Sequence, residues 1–268
     1  MHRISALALA VVIAAPLATS LDAQDRERGD PFRWSGDVQA SHWVYVRNLN
    51  GPVRVEAGTG SKVEVTAVKT WRRGDPKDVR ITVTQTGAGK GDLLVCALWN
   101  ESSSCDEDGY HSHSDGGWRN NHNDVSVEFT IRLPAGVKVE ASTVNGGVDI
   151  DGATSDVVAH TVNGQIEARS LAGSVSARTT NGSINVRAAK LDGHQTEYTT
   201  VNGSITVELP SGINADVDMR TVNGRVSSDF PLTVEGTISA RRLRAKLGEG
   251  GPSLRFATVN GSIHLRKA

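Results

Sequence analysis

The chain has 268 residues, 4% of them aromatic, and its 29 basic residues nearly cancel 30 acidic ones. That balance excludes a general electrostatic pull toward nucleic acid or an anionic membrane, so any partner must be recognised locally. The scarcity of large rings excludes a thick core, and 28 glycines without collagen's period, set among Val, Ile and Thr, point to an all-β chain of short strands and tight turns.

At the N-terminus, His2 and Arg3 precede an apolar run from Ile4 to Ala18, and small residues lead to Leu21-Asp22-Ala23 ahead of polar Gln24. This is the pattern of an export signal over 1–23, with cleavage expected after Ala23 and delivery to the periplasm, the cell surface or beyond. No later stretch approaches the roughly 20 apolar residues a bilayer crossing needs, so no transmembrane segment is expected in the mature chain. Residues 24–40 are polar, carry Pro31 and read as a flexible lead. Residues 41–268 are assigned to one β-solenoid domain.

From His42 the apolar residues alternate: Trp43 and Tyr45, then Val53 and Val55, then Val63 and Val65, with Gly51-Pro52 and Gly58-Thr59-Gly60 as turns between them. Val79, Ile81 and Val83 predict a further strand, and Leu93 to Leu98 begins the next. Cys96 and Cys105 are the only cysteines, with eight residues between them, and in an oxidising compartment they are expected to form a local disulfide contributing about 2–3 kcal/mol at most. That bond would tie a polar insertion over 96–123. The clearest strand is Val125, Val127, Phe129, Ile131 and Leu133, strictly at period two.

Beyond Gly136 the chain repeats itself. Thr-Val-Asn-Gly recurs with its Asn-Gly at Asn145-Gly146, Asn163-Gly164, Asn202-Gly203, Asn223-Gly224 and Asn260-Gly261, and Thr-Thr-Asn-Gly supplies Asn181-Gly182. Each is followed, after one residue, by Val or Ile. The asparagines are spaced by 18, 18, 21, 21 and 37 residues, the last close to two periods. A period of about 18–21 residues predicts a parallel β-helix-like solenoid with two strands and two corners per coil. In one coil Val148, Ile150, Val157, Ala159 and Thr161 are predicted to point inward. Leu133 reaches Asn145 in twelve residues and Leu209 reaches Asn223 in fourteen, an even difference that keeps the inward set inward. Asn and Gly both tolerate positive φ, which suits a tight reversal, and stacked asparagines would form an amide ladder. Asn-Gly is equally the signal of a two-residue hairpin, so corner and hairpin both stay open here.

The run from Leu133 to Val148, Leu-Pro-Ala-Gly-Val-Lys-Val-Glu-Ala-Ser-Thr-Val-Asn-Gly-Gly-Val, followed by recurrent Thr-Val-Asn-Gly-Ser-Ile, resembles the DUF4097 family of bacterial adhesin-like proteins. The resemblance covers roughly His42 to the C-terminus. It implies a β-helical fold and an exported location, with no established activity.

Candidate chemistry is sparse. His111, His113, His122 and Asp115, with Asp106, Glu107 and Asp108, offer imidazole and carboxylate, but their spacing matches no compact zinc motif, and neither metal nor cofactor is assigned. Arg-Gly-Asp-Pro occurs at Arg28–Pro31 and Arg73–Pro76, both in turn-like stretches. Asn181, Asn202 and Asn260 match a glycosylation pattern that the repeat already explains. Gly87-Ala88-Gly89-Lys90-Gly91 lacks the spacing of a phosphate loop and reads as a hairpin tip. Arg241, Arg242, Arg244, Lys246, Arg255, Arg266 and Lys267 form a basic segment suited to a solvated last coil or to anionic polysaccharide or lipid headgroups. No Gly-x-Ser-x-Gly or His-Glu-x-x-His element occurs, and Asp149, Asp151, Asp216 and Asp218 are the available acids for a glycan-cleaving pair. The expected function is a non-catalytic, adhesin-like interaction or structural module of the cell envelope whose partner is a protein or glycan. The alternative is a polysaccharide-active or metal-dependent enzyme on a β-helix scaffold.

Overall fold

A computed structural model describes residues 26–111, 123–191, 195–234 and 239–268. Two 11-stranded sheets lie face to face, and the chain passes from one to the other at each Asn-Gly. The first rung is Trp43–Arg47 and Val53–Ala57, turning at Asn50-Gly51. Next in space come Lys138–Ser142 with Val148–Ala153, Val157–His160 with Ile166–Ser170, Val175–Arg178 with Ile184–Ala188, and Thr196–Thr199 with Ile205–Leu209. Rung-to-rung pairing is parallel. The Asn-Gly elements are therefore corners of stacked coils rather than hairpin tips.

Parallel pairing in register puts like residues above like. On one sheet Val53, Val148, Ile166, Ile184, Ile205, Ile263 and Val226 form one inward column, and all but Val226 are no more than 1% exposed. Each large aliphatic side chain so buried contributes roughly 1.5–3 kcal/mol, and the β-branched Val and Ile that dominate the column suit the pleated backbone. The facing sheet is slimmer at first, with Ala141, Ala159 and Ala177 in register, then widens to Tyr198, Phe256 and Met219. Val148, Ile150, Val157, Ala159 and Thr161 are all buried, as their alternation predicts.

Both ends depart from the sequence expectations. Trp43 and Tyr45 point outward, and Val44 and Val46 fill the core. The outer face offers the two rings partners of their own, described below. Residues 24–40, read as a flexible lead, instead carry strands Glu27–Arg28 and Phe32–Asp37, both antiparallel to Lys62–Trp71. Phe32, Trp34 and Gly36 alternate with Arg33, Ser35 and Asp37, a period-two pattern too short and too polar to stand out. Phe32 and Trp34 pack on the core from the sheet's N-terminal end. The strand Ser126–Leu133 closes this end by pairing parallel to Val53–Ala57 and antiparallel to Lys62–Trp71.

At the other end the 37-residue interval does not hold two successive coils. After rung five the chain forms Ala215–Asn223 and Val226–Ser228, then a strand Leu232–Val234 antiparallel to Arg242–Leu247, which in turn caps Ala215–Asn223. Ser253–Asn260 and Ile263–Lys267 then return and insert between rung five and the coil made before them. The last coil in sequence is thus the sixth in space. Arg242–Leu247 occupies the outer edge of Ala215–Asn223, so the inner edge is the one that receives the returning strand.

Tyr198 is fully buried, stacks on Phe256 with centroids 5.1 Å apart, and its hydroxyl has no hydrogen-bond partner among the described residues. Burial pushes that hydroxyl far above its usual pKa, so it stays neutral. Because an unsatisfied buried hydroxyl costs about 1–3 kcal/mol, Tyr198→Phe is expected to leave the thermal midpoint unchanged or raise it. A midpoint lowered by several degrees would show that the hydroxyl is hydrogen-bonded after all.

Candidate interaction surface

The corner edge is built from backbone outward. Successive corner asparagines bridge in parallel from Asn50 through Asn145, Asn163, Asn181 and Asn202 to Asn260, and Asn223 pairs with Asn260. Their side chains form a ladder in which Nδ2 donates to the neighbouring Oδ1: Asn163 to Asn145, Asn181 to Asn163, Asn202 to Asn181, Asn260 to Asn202 and Asn223 to Asn260, at 2.7–2.9 Å. The repeat's threonine is buried one step behind. Thr143, Thr161, Thr179, Thr200, Thr258 and Thr221 each donate Oγ1 to the carbonyl of the corner glycine in the preceding rung in space, at 2.8–2.9 Å. That closes the hydrogen-bond account of a hydroxyl which would otherwise be stranded.

Among the corner glycines only Gly51 and Gly261 take the positive φ expected of them, and the others are required for a different reason. No corner asparagine has positive φ, and neither do Gly146, Gly164, Gly182, Gly203 or Gly224. Instead a Cβ at Gly164 would lie 2.0 Å from the carbonyl oxygen of Gly146, and one at Gly182 would lie 1.9 Å from that of Gly164. Asn50-Gly51 is a corner that the repeat count missed. Its signal was present, since Val53 follows after one residue as in every later copy, but Leu49 and Asn48 replace the Val and Thr. Asn48 Nδ2 reaches across in the threonine's place by donating to Val127 O of the neighbouring strand at 2.9 Å, and it also closes its own corner by donating to Gly51 O at 2.9 Å.

One flat face carries the disulfide-tied insertion. Cys96 lies in the strand Asp92–Leu98 and bonds Cys105, with their Cα atoms 6.6 Å apart. Leu94, Cys96 and Leu98 form a second, outer apolar cluster joined by Tyr45, Cys105 and Tyr110, which explains why Tyr45 faces out. Trp43 stacks on Tyr45 at 6.0 Å and receives Lys138 Nζ 5.4 Å from its ring. Arg47 is only 2% exposed beneath this loop; its Nη2 meets Glu140 Oε1 at 2.8 Å and the Glu107 carbonyl, and its Nε donates to Asp106 O at 3.3 Å. Burial lowers the pKa of neighbouring His160. Farther along, Arg220 and Arg244 grip Asp218 and hold its carboxyl below the usual range.

The opposite face is open across its width. One outward row, in register, reads Glu64, Arg132, Glu56, Asp151, Arg169, Arg187, Glu208 and Arg266. The adjacent row reads Arg54, Asp149, Glu167, Asn185, Thr206, His264 and Ser227. Its N-terminal half is acidic and laced by ion pairs of Arg54 with Glu128 and Asp149 and of Arg132 with Glu56 and Glu64. Its C-terminal half is basic, with Arg187 bound to Glu208.

The remaining candidate groups are not brought together. Asp149 and Asp151 lie on the open face, whereas Asp216 and Asp218 lie on the other, so the four acids cannot converge. Ser227 and His264 Nδ1 meet at 2.8 Å, but the cross-strand neighbours of His264 are Thr206 and Ser227, so no acid orients the ring as a catalytic triad requires. Among the described residues no three metal-ligating side chains cluster; His111 bonds Asp106 at 3.0 Å, and His113, Asp115 and His122 fall outside the described residues. The first Arg-Gly-Asp is held by Arg28 pairing with Thr70 and Gly29 donating to Lys69, and in the second Arg73 and Gly74 donate to Asp124. Residues 87–91 do form a hairpin tip, where Gly87 donates its N–H to Glu107 rather than to a phosphate. The C-terminal basic segment is split: Arg244 and Arg255 lie on the insertion's face and Arg266 on the open one. No helix among the described residues is long and apolar enough to cross a membrane.

Among proteins of curated function, none matches this sequence. Solved structures similar over most of the chain include a candidate cell adhesion protein from Clostridium sporogenes ATCC 15579, at 13% identity over 89% of this chain and 100% of that one, with a TM-score of 0.48. Others are candidate adhesins from Bacteroides fragilis NCTC 9343, at 10% identity over 89% and 97% with a TM-score of 0.25, and from Parabacteroides distasonis ATCC 8503, at 10% over 90% and 98% with a TM-score of 0.26. The family model described as Toastrack DUF4097 matches residues 35–266, nearly the whole solenoid, and the chain belongs to that family.

Proposed function

We propose that this protein is an exported, non-catalytic interaction module of the cell envelope, which binds its partner on a broad sheet face rather than in a pocket. The observation that carries this reading is the open face itself: nine strands, from Ser126–Leu133 and Lys62–Trp71 to Val226–Ser228, present charged, amide and hydroxyl side chains with no loop crossing them among the described residues. Its polar groups are fixed by cross-strand register, which suits recognition of an extended partner, and among the described residues this face holds no enclosed, water-excluding site for chemistry. The Cys96–Cys105 disulfide and the signal-like N-terminus support export.

The test is to display the full chain on a biosensor against a panel of envelope glycans and envelope protein fractions, while assaying the same glycans for release of reducing ends. Saturable binding that is lost when open-face side chains are changed, with no turnover, is the expected result. Glycan turnover that vanishes in His264→Ala or Ser227→Ala would replace this reading with an enzymatic one. In a bacterial host the chain is expected in the periplasmic or surface fraction with Cys96 and Cys105 oxidised; accumulation in the cytoplasm would remove the export part.

A further inference from the structure

Resting on that interaction reading, we infer that the basic half of the open face, built on Arg169, Arg187 and Arg266, is a binding track for an acidic polysaccharide. Arg169 and Arg187 are direct cross-strand partners in a parallel pair. Like charges so placed repel, and a fold that keeps them side by side without a counter-ion between them carries a local conflict of the sort found at functional positions. Elsewhere on the face each arginine has its acid. Arg54 and Arg132 each hold two, and Arg187 is fixed by Glu208, whose Oε2 takes both its Nε and its Nη2. Arg169 and Arg266 are exposed and hold no ion pair or hydrogen bond among the described residues. Together with Asn185, Thr206, Glu167 and Glu208 the three arginines line one shallow concavity, in which they outnumber the acids three to two.

The track runs along the solenoid axis. From Arg169 to Arg266 it crosses four strands, a span of about 14 Å at the usual strand spacing. Guanidinium groups match carboxylate or sulfate oxygens in a fork geometry, and they stand at fixed intervals along this line. The neighbouring row of Asn185, Thr206, His264 and Ser227 supplies further donors and acceptors for sugar hydroxyls. A linear acidic glycan has both kinds of group in alternation.

A lipid surface fits less well. A bilayer would meet the whole flat face, including the acidic half with Glu56, Asp149 and Asp151, which anionic headgroups repel. Among the described residues the large hydrophobics that stand exposed, Val162, Leu171, Val201, Val222 and Val259, lie off this face at or beside the corners, so none of them would anchor this face in acyl chains. A single polymer chain can occupy the basic half alone.

The experiment measures binding of the full chain to polygalacturonate, dextran sulfate, uncharged dextran and phosphatidylglycerol vesicles, at low and high salt. Arg169→Gln and Arg266→Gln are each expected to weaken polyanion binding by about threefold to fivefold, and the double variant by tenfold or more, while Arg54→Gln changes nothing. Added salt is expected to weaken it further. All variants should melt like the parent, since the altered groups are exposed. Preference for dextran sulfate over polygalacturonate keeps the track and assigns its anion as sulfate. Tighter, arginine-dependent binding to vesicles would overturn the polysaccharide in favour of a membrane. Binding of polyanions that is unchanged in the double variant, or of uncharged glycan or envelope protein alone, would overturn this track while leaving the broader interaction reading intact.

Discussion

Gly164→Ala and Gly182→Ala are each expected to destabilise the protein by about 3 kcal/mol, or roughly 6–12 °C in thermal midpoint. The added methyl would have to share space with a backbone carbonyl 1.9–2.0 Å away, and that carbonyl is itself held by Thr161 or Thr179 from the neighbouring rung. Neither side can give way without opening the stack. Gly60→Ala is the matched control, since the nearest atom to its new methyl would be 4.0 Å away and no positive φ is involved. It should stay within about 0.5 kcal/mol of the parent. Equal effects at all three positions in urea or thermal melts would mean that glycine serves chain flexibility here rather than close rung-to-rung approach.

Phe256→Ala is expected to cost about 3–5 kcal/mol, more than its place near the C-terminus suggests. Phe256 is fully buried, stacks on Tyr198 and has Tyr198 and Met219 as its two cross-strand neighbours. Its loss therefore loosens the returning coil from both rungs between which it is inserted. Limited proteolysis should then cut within 210–250 as readily as within the last coil. If only the final residues became sensitive, the returning coil would be a peripheral addition instead of the internal member that the pairing indicates.

How much of this was legible in the sequence depends on whether the relevant signal is local. The inward set of each coil follows from period-two alternation alone, so Val148, Ile150, Val157 and Ala159 were placed correctly without coordinates. The coil period announced the corners at Asn145, Asn163, Asn181, Asn202, Asn223 and Asn260, and parallel bridging resolved corner against hairpin. What failed was whatever depends on partners distant in sequence. Trp43 and Tyr45 have the same alternation as Val44 and Val46, and only the outer cluster with Leu94, Cys96 and Tyr110 decides which pair faces out. The spatial order of the last two coils cannot be read from a repeat whose copies are interchangeable in register. The arginine track did have a signal in the repeat, since Arg169, Arg187 and Arg266 each stand six residues past a corner asparagine, whereas the basic residues that cluster in sequence are divided between two faces. Positive φ accounts for corner glycine at Gly51 and Gly261 but not at the other five corners, because φ is a local property and the carbonyl that excludes a side chain there belongs to the adjacent rung.

The most direct test of the stacked, re-inserted solenoid is paired-cysteine cross-linking on the open face. Thr206 and His264 are cross-strand neighbours, so their Cα atoms should stand about 4.8 Å apart, within the span of a disulfide; Thr206 and Ser227 flank His264 from opposite sides, at about 10 Å. The Thr206→Cys/His264→Cys chain is predicted to form an intramolecular bond on mild oxidation, detectable by mass after alkylation, and the Thr206→Cys/Ser227→Cys chain to remain reduced at those positions. Cross-linking of the second pair and not the first would place the coils in simple sequence order and contradict the architecture.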